Sequence, residues 1–114
     1  MTHTMRLNAR PFEMIESGKK TVEMRLYDEK RRAISVGDEI VFVHRDDPSR
    51  RLSATVTALH LFPSFAALYR ALPLTACGYT DAELATASPD DMCAYYSREE
   101  QERYGVVGIE VRLL

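Results

Sequence analysis

Two cysteines, three histidines, five glycines and no long apolar run stand out first in this sequence of 114 residues. The thiols Cys77 and Cys93, with no histidine at ligand spacing, fit neither a disulfide framework nor a thiolate zinc site, so both are expected to be reduced and buried. His3, His44 and His60 are dispersed, and nothing in their spacing supports a metal. No glycine-rich phosphate loop and no nucleophile elbow occurs, and no cofactor is implied. No apolar stretch approaches the roughly 20 residues that span a bilayer. The opening Met1-Thr2-His3-Thr4-Met5-Arg6 lacks the apolar centre of a signal peptide, so no membrane partner is expected and the expected compartment is the cytoplasm. A strong charge of one sign is missing too. At a net −2 the molecule as a whole is not drawn to a polyanion as a basic nucleic-acid binder is.

What is present is the material of one globular domain over residues 1–114, 46% apolar and 28% charged, without repeats, low-complexity tracts or linkers. The charges are unevenly spread. Residues 1–51 carry 11 Lys or Arg against 9 Asp or Glu, while residues 52–114 carry 4 against 8, so the first half holds the cations.

Arg6-Leu7-Asn8 reads as the end of a first strand, and Pro11 suits the first position of a helix that runs to Ser17, stops at Gly18 and turns Phe12 and Ile15 inward. The period then changes to two: Thr21, Glu23, Arg25 and Tyr27 alternate with Val22, Met24 and Leu26, the pattern of a half-buried strand. A charged turn from Asp28 to Ala33 and Val36-Gly37-Asp38 lead to a strand from Glu39 to His44. The loop Asp46 to Ser49 connects it to a strand from about Arg51 to Leu61, with Leu52, Ala54, Val56 and Ala58 on one face. Pro63 opens a helix whose Phe65, Leu68, Tyr69 and Leu72 recur at helical spacing, closed by Pro73. Thr80 with Glu83 and Ser97 with Glu100 match the capping-box pattern, and Val106 to Leu113 alternates as a final strand. Five strands with interspersed short helices predict an α+β fold, a small mixed barrel closed by its termini, with an open α+β sandwich as the alternative.

The chemistry concentrates between Gly18 and Tyr27. On a strand Glu23 and Arg25 project from one face about 7 Å apart, with Lys20 just before them, so an ammonium, a carboxylate and a guanidinium converge beside Tyr27. Arg offers a planar fork to a phosphate or base edge, Lys a point charge, and Glu an acceptor for an exocyclic amine or a proton. The plainer alternative is the wet face of an edge strand on which Glu23 and Arg25 offset each other. Lys30-Arg31-Arg32 and Arg50-Arg51 are candidate phosphate contacts, and Tyr27, Tyr95, Tyr96 and Tyr104 are candidate stacking surfaces.

Gly18-x-Lys20-x-x-Glu23-x-Arg25 resembles the G-x-K-x-x-E-x-R signature of ASCH domains, relatives of the PUA fold. Val36-Gly37-Asp38, which leads into the next strand, and the closing stretch from Tyr96 to Val106 fit the same family, and the likeness extends over essentially the whole chain. It implies a PUA-like mixed β-barrel of about five to six strands with flanking short helices. It also implies a charged cleft for RNA, a nucleotide or a modified nucleoside, lined by Lys20, Glu23, Arg25, Tyr27, Tyr96 and Ser97. One branch of the family hydrolyses the amide of N4-acetylcytidine with a Lys, a Thr and a Glu. Its Lys matches Lys20, but its nucleophilic Thr is Glu23 here, and the stretch Thr75-Ala76-Cys77-Gly78-Tyr79 offers no acid. Other members are linked to RNA cleavage, for which Lys20 and Glu23 are the candidate catalytic residues. The expectation is therefore a binding module, with a hydrolase acting on RNA or a modified nucleoside, or a protein-interaction module of the transcription or translation machinery, as alternatives. No oligomeric state follows from the sequence.

Overall fold

The computed structural model describes all 114 residues. Its frame is one five-stranded mixed sheet built from β1 (Thr2–Leu7), β2 (Val22–Leu26), β3 (Glu39–His44), β4 (Arg51–Phe62) and β5 (Val106–Leu113), in the order β1-β3-β4-β5-β2. β1 runs parallel to β3, and the other neighbours are antiparallel. The expected barrel of about five strands is thus present as a half-barrel with flanking helices. Closure by the termini is corrected, because β3 and β4 lie between β1 and β5 and the free edges are β1 and β2. No ladder joins those edges; a single side-chain bond does, from Arg25 Nη2 to the carbonyl of Arg6 at 3.3 Å.

Helix α1 (Ala9–Glu16) begins two residues before Pro11 and buries Phe12 and Ile15 against the inner face of the sheet. There they meet Met5 and Leu7 of β1, Ile40 and Phe42 of β3, Ala54 and Val56 of β4, and Val107, Ile109 and Val111 of β5. The outer face at β2 is covered by a second core, in which Val22, Met24 and Leu26 pack on Phe65 and Leu68 of α3 (Phe65–Ala71) and on Cys77 and Met92. Both faces of β2 are therefore buried, not one as the alternation suggested, because α3 and the segment after it fold back over the strand.

Two further expectations change. The run of Leu52, Ala54, Val56 and Ala58 breaks at a bulge between Val56 and Ala58, beyond which Leu59 instead of Ala58 packs against the core. Of the two thiols only Cys77 is buried; Cys93 is exposed, because it sits on a 3₁₀ turn (Pro89–Ala94) at the surface. That turn was not expected, although Ser88, Pro89 and Asp91 form a capping box with proline just inside it. A shorter 3₁₀ turn follows Thr80 (Asp81–Glu83), α2 (Glu29–Arg32) fills the charged turn, and α4 (Arg98–Tyr104) starts at Ser97.

Candidate functional site: a charged cleft between the free sheet edges

Local chain reversals put the charges in place. Gly18, at φ +80°, ends α1 in a conformation that L side chains rarely adopt. The amides of Lys19 and Lys20 both donate to the Met14 carbonyl, at 2.9 and 3.0 Å, so the chain turns straight into β2. On the other side, the amides of Thr21 and Val22 donate to the Ala76 carbonyl, which brings the turn at Gly78 over the lysine. Gly78 has φ +110°, and a Cβ there would lie 3.2 Å from Cδ of Lys20, so a glycine both makes the turn and leaves room for the lysine stem.

On β2, Glu23 and Arg25 pair across the ladder with Ile109 and Val107 and so face the inner side of the half-barrel. Where the other strands supply aliphatic groups to the core, this edge strand supplies an ion cluster. Glu23 is 5% exposed and Lys20 8%. Lys20 Nζ donates to Glu23 Oε1 at 3.0 Å, and Arg25 Nη2 approaches Oε2 at 3.4 Å. Burial alone would push the Glu23 carboxyl up, but the charges of Lys20 and then Arg25, with their hydrogen bonds, hold it below its ordinary value, so the group is a carboxylate. Both bonds of the guanidinium, to Glu23 and to Arg6, are long, which leaves most of its donors for a ligand.

This cluster forms one wall of a cleft of about 640 Å³. Of the residues singled out in the sequence, Lys20, Glu23, Arg25, Tyr95 and Tyr96 line it together. Tyr96 stacks on Phe65 at a centroid distance of 6.1 Å; burial raises its hydroxyl above the ordinary value, with Arg25 opposing. Tyr27 does not reach the cleft: its ring packs on the inner core beneath the Arg32 guanidinium, 4.4 Å away. Ser97 is also outside, where its hydroxyl accepts the Glu100 amide and starts α4. Tyr104 packs against the second core. The basic runs are elsewhere as well: Arg31 pairs with Asp28, Arg32 covers Tyr27, Arg50 reaches Glu16 and Arg51 bonds the Pro48 carbonyl.

The cleft's other cations are single arginines in no motif. Arg6 is the penultimate residue of β1, Arg10 lies in the first turn of α1 and pairs with Glu83, which also lines the cleft, and Arg45 follows β3. Tyr79, next to the Gly78 turn, also lines the cleft; its hydroxyl takes part in a chain from Tyr69 to Asp91 with both links at 2.7 Å, and burial and these partners raise the Tyr79 hydroxyl. No sequence pattern marked Arg6, Arg45, Gly78, Tyr79 or Asp91.

A five-stranded mixed sheet forming a half-barrel with flanking helices matches the PUA-like fold. A family model described as the ASCH domain matches residues 5–114. The crystal structure of hypothetical protein PH0355 superposes with a TM-score of 0.82 at 31% identity, each chain covered completely. The solution structure of protein PF0455 from Pyrococcus furiosus superposes with a TM-score of 0.77 at 32% identity, covering 100% of this chain and 98% of that one. No curated protein matches the sequence. The chain belongs to the ASCH domain family, which is generally associated with RNA binding. No helix is long and apolar enough to cross a membrane.

Proposed function

We propose that this domain binds RNA or a nucleotide in the cleft, reading a base against Glu23 and Arg25, and does not turn it over. The observation that carries this reading is a buried carboxylate held ionised between an ammonium and a guanidinium on the wall of a 640 Å³ cleft. Such a carboxylate accepts from the amino and imino groups of a base, and the guanidinium beside it donates to a carbonyl or a phosphate. Tyr95 and Tyr96, which also line the cleft, supply aromatic surface against which a base can lie.

Two features favour binding over hydrolysis. A carboxylate held below its ordinary value is a weak general base near neutral pH. The hydroxyls that line the cleft belong to tyrosines alone, and Thr21 is exposed outside it, so no aliphatic hydroxyl stands where the acetylcytidine-hydrolysing branch has its nucleophile. Titration of the domain with nucleosides, nucleotides and short RNAs, followed by amide NMR, tests the reading. Shifts clustered on Lys20 to Arg25 and Tyr95 to Tyr96 are expected, and Arg25→Lys is expected to weaken binding by roughly 1–3 kcal/mol, the range of a good bidentate contact. Appreciable release of acetate from N4-acetylcytidine, or wild-type affinity in Arg25→Lys, would refute it.

A further inference from the structure

The cleft is not evenly charged. Five cations line it, Arg6, Arg10, Lys20, Arg25 and Arg45, with three acids, Glu23, Glu83 and Asp91. Lys20 and Arg25 share Glu23, and Arg10 is taken up by Glu83. Arg6 and Arg45 make no ion pair, and both are exposed. They come from the same end of two neighbouring parallel strands: Arg6 is in register with Val43, and the Arg45 amide donates to the Leu7 carbonyl at 2.8 Å. The loop that starts at Arg45 is anchored from below, where buried His44 accepts the amides of Asp46 and Asp47 at 3.1 and 3.2 Å through Nδ1. Asn8, which also lines the cleft, is the N-cap of α1, and its side chain makes no cap bond. The acid without a cation, Asp91, accepts from the Tyr79 hydroxyl.

From this asymmetry we infer that the Arg6–Arg45 side of the cleft is a phosphate subsite, so that the ligand is a phosphorylated nucleotide or an RNA strand and not a free nucleoside. The inference rests on the base-binding reading above and extends it. Two unpaired guanidiniums at one end of a cleft, beside a third that is only loosely bonded, suit the oxygens of a phosphate. The amide of Asn8 can bond a ribose or a phosphate oxygen. A base seated on Glu23 lies beside Arg25, whose guanidinium bonds the Arg6 carbonyl near the end of β1, so its sugar and phosphate reach the Arg6–Arg45 side.

Amide NMR titrations with the four ribonucleosides, their 5′-monophosphates, inorganic phosphate, a mixed-sequence ribohexamer and a hexaglutamate peptide test this. The preferred monophosphate is expected to bind at least about tenfold more tightly than its nucleoside, moving the amides of Arg6, Asn8 and Arg45. In Arg6→Gln/Arg45→Gln that ratio is expected to fall toward one; Arg45→Gln alone serves if the double variant melts early. A hexamer that outbinds the monophosphate marks the phosphate as part of a strand, and equal affinity marks a mononucleotide; either outcome supports the subsite. Equal affinity for nucleoside and monophosphate, an unchanged ratio in the variant, or hexaglutamate moving these amides more tightly than any phosphate overturns the subsite. In those cases shifts at Lys20 to Arg25 with nucleosides would leave the base-binding reading intact. If nucleosides, monophosphates and hexamer all leave those amides unmoved, both readings fail together.

Discussion

At the scale of single residues, the site depends on a buried charge that is stable only while its partners are in place. Glu23 titrates below its ordinary value of 4.5 in the folded chain, so the unfolded chain binds more protons in mild acid. Its contribution is therefore fully present above about pH 4.5 and fades as the pH falls through the lower folded value. Asp38 and Glu83, both held at about 2, and Asp47 act in the same direction, so only a difference curve isolates Glu23. Glu23→Gln is expected to be less stable than wild type near neutrality, with the gap narrowing below about pH 4.5; urea unfolding across pH 3–7 measures it, and a gap independent of pH would contradict an ionised Glu23. Gly78 makes the complementary case for the backbone. Gly78→Ala is expected to cost about 1–3 kcal/mol for a side chain at this positive φ. It should also displace Lys20, which chemical shifts around Glu23 would report; an unchanged melting temperature would show that the turn relaxes without strain.

At the scale of elements, similar local signals turn out to have unequal meanings. Capping boxes were readable at Thr80 and Ser97, yet one begins a single 3₁₀ turn and the other a seven-residue helix; both are followed by good helix formers, but only the second segment is anchored by tertiary packing, through Tyr104 on the second core. Ser97 belongs to that helix end and not to the cleft. Ser97→Ala is thus expected to lose about 1 kcal/mol of stability, the usual cost of an N-cap, with ligand affinity unchanged; a drop in affinity without a drop in stability would return Ser97 to the site. The strand elements show the same lesson. β4 follows its alternation up to the bulge after Val56, where Thr57 is an extra, unpaired residue between the Val56–Val111 and Ala58–Glu110 pairs; a two-residue period along one strand cannot announce this, because a bulge is defined by the register with the partner strand.

At the scale of the whole molecule, a net charge of −2 is combined with a cleft whose unpaired arginines number two. Binding of a single-stranded RNA through those two alone gives a slope of about −1.4 for the logarithm of affinity against that of salt concentration. A slope near −4 would mean a broad basic surface that this fold does not present. The alternation from Thr21 to Tyr27, the inward Phe12 and Ile15, and the signature Gly18, Lys20, Glu23 and Arg25 were all readable along the chain, since periodicity and short motifs express the geometry of a local backbone. They were enough for the strand, for which of its residues share a face, and for the family, but not for the burial of both faces. They were not enough for the sheet order, which leaves β1 and β2 as free edges, nor for the bond from Arg25 to Arg6 that spans the seam. The same holds for the turn at Gly78 over Lys20 and for the exclusion of Tyr27 and Ser97 from the cleft. Those were decided by packing between segments far apart in sequence: a cleft exists only where distant backbones fail to close on one another, and no local pattern of residues encodes that gap.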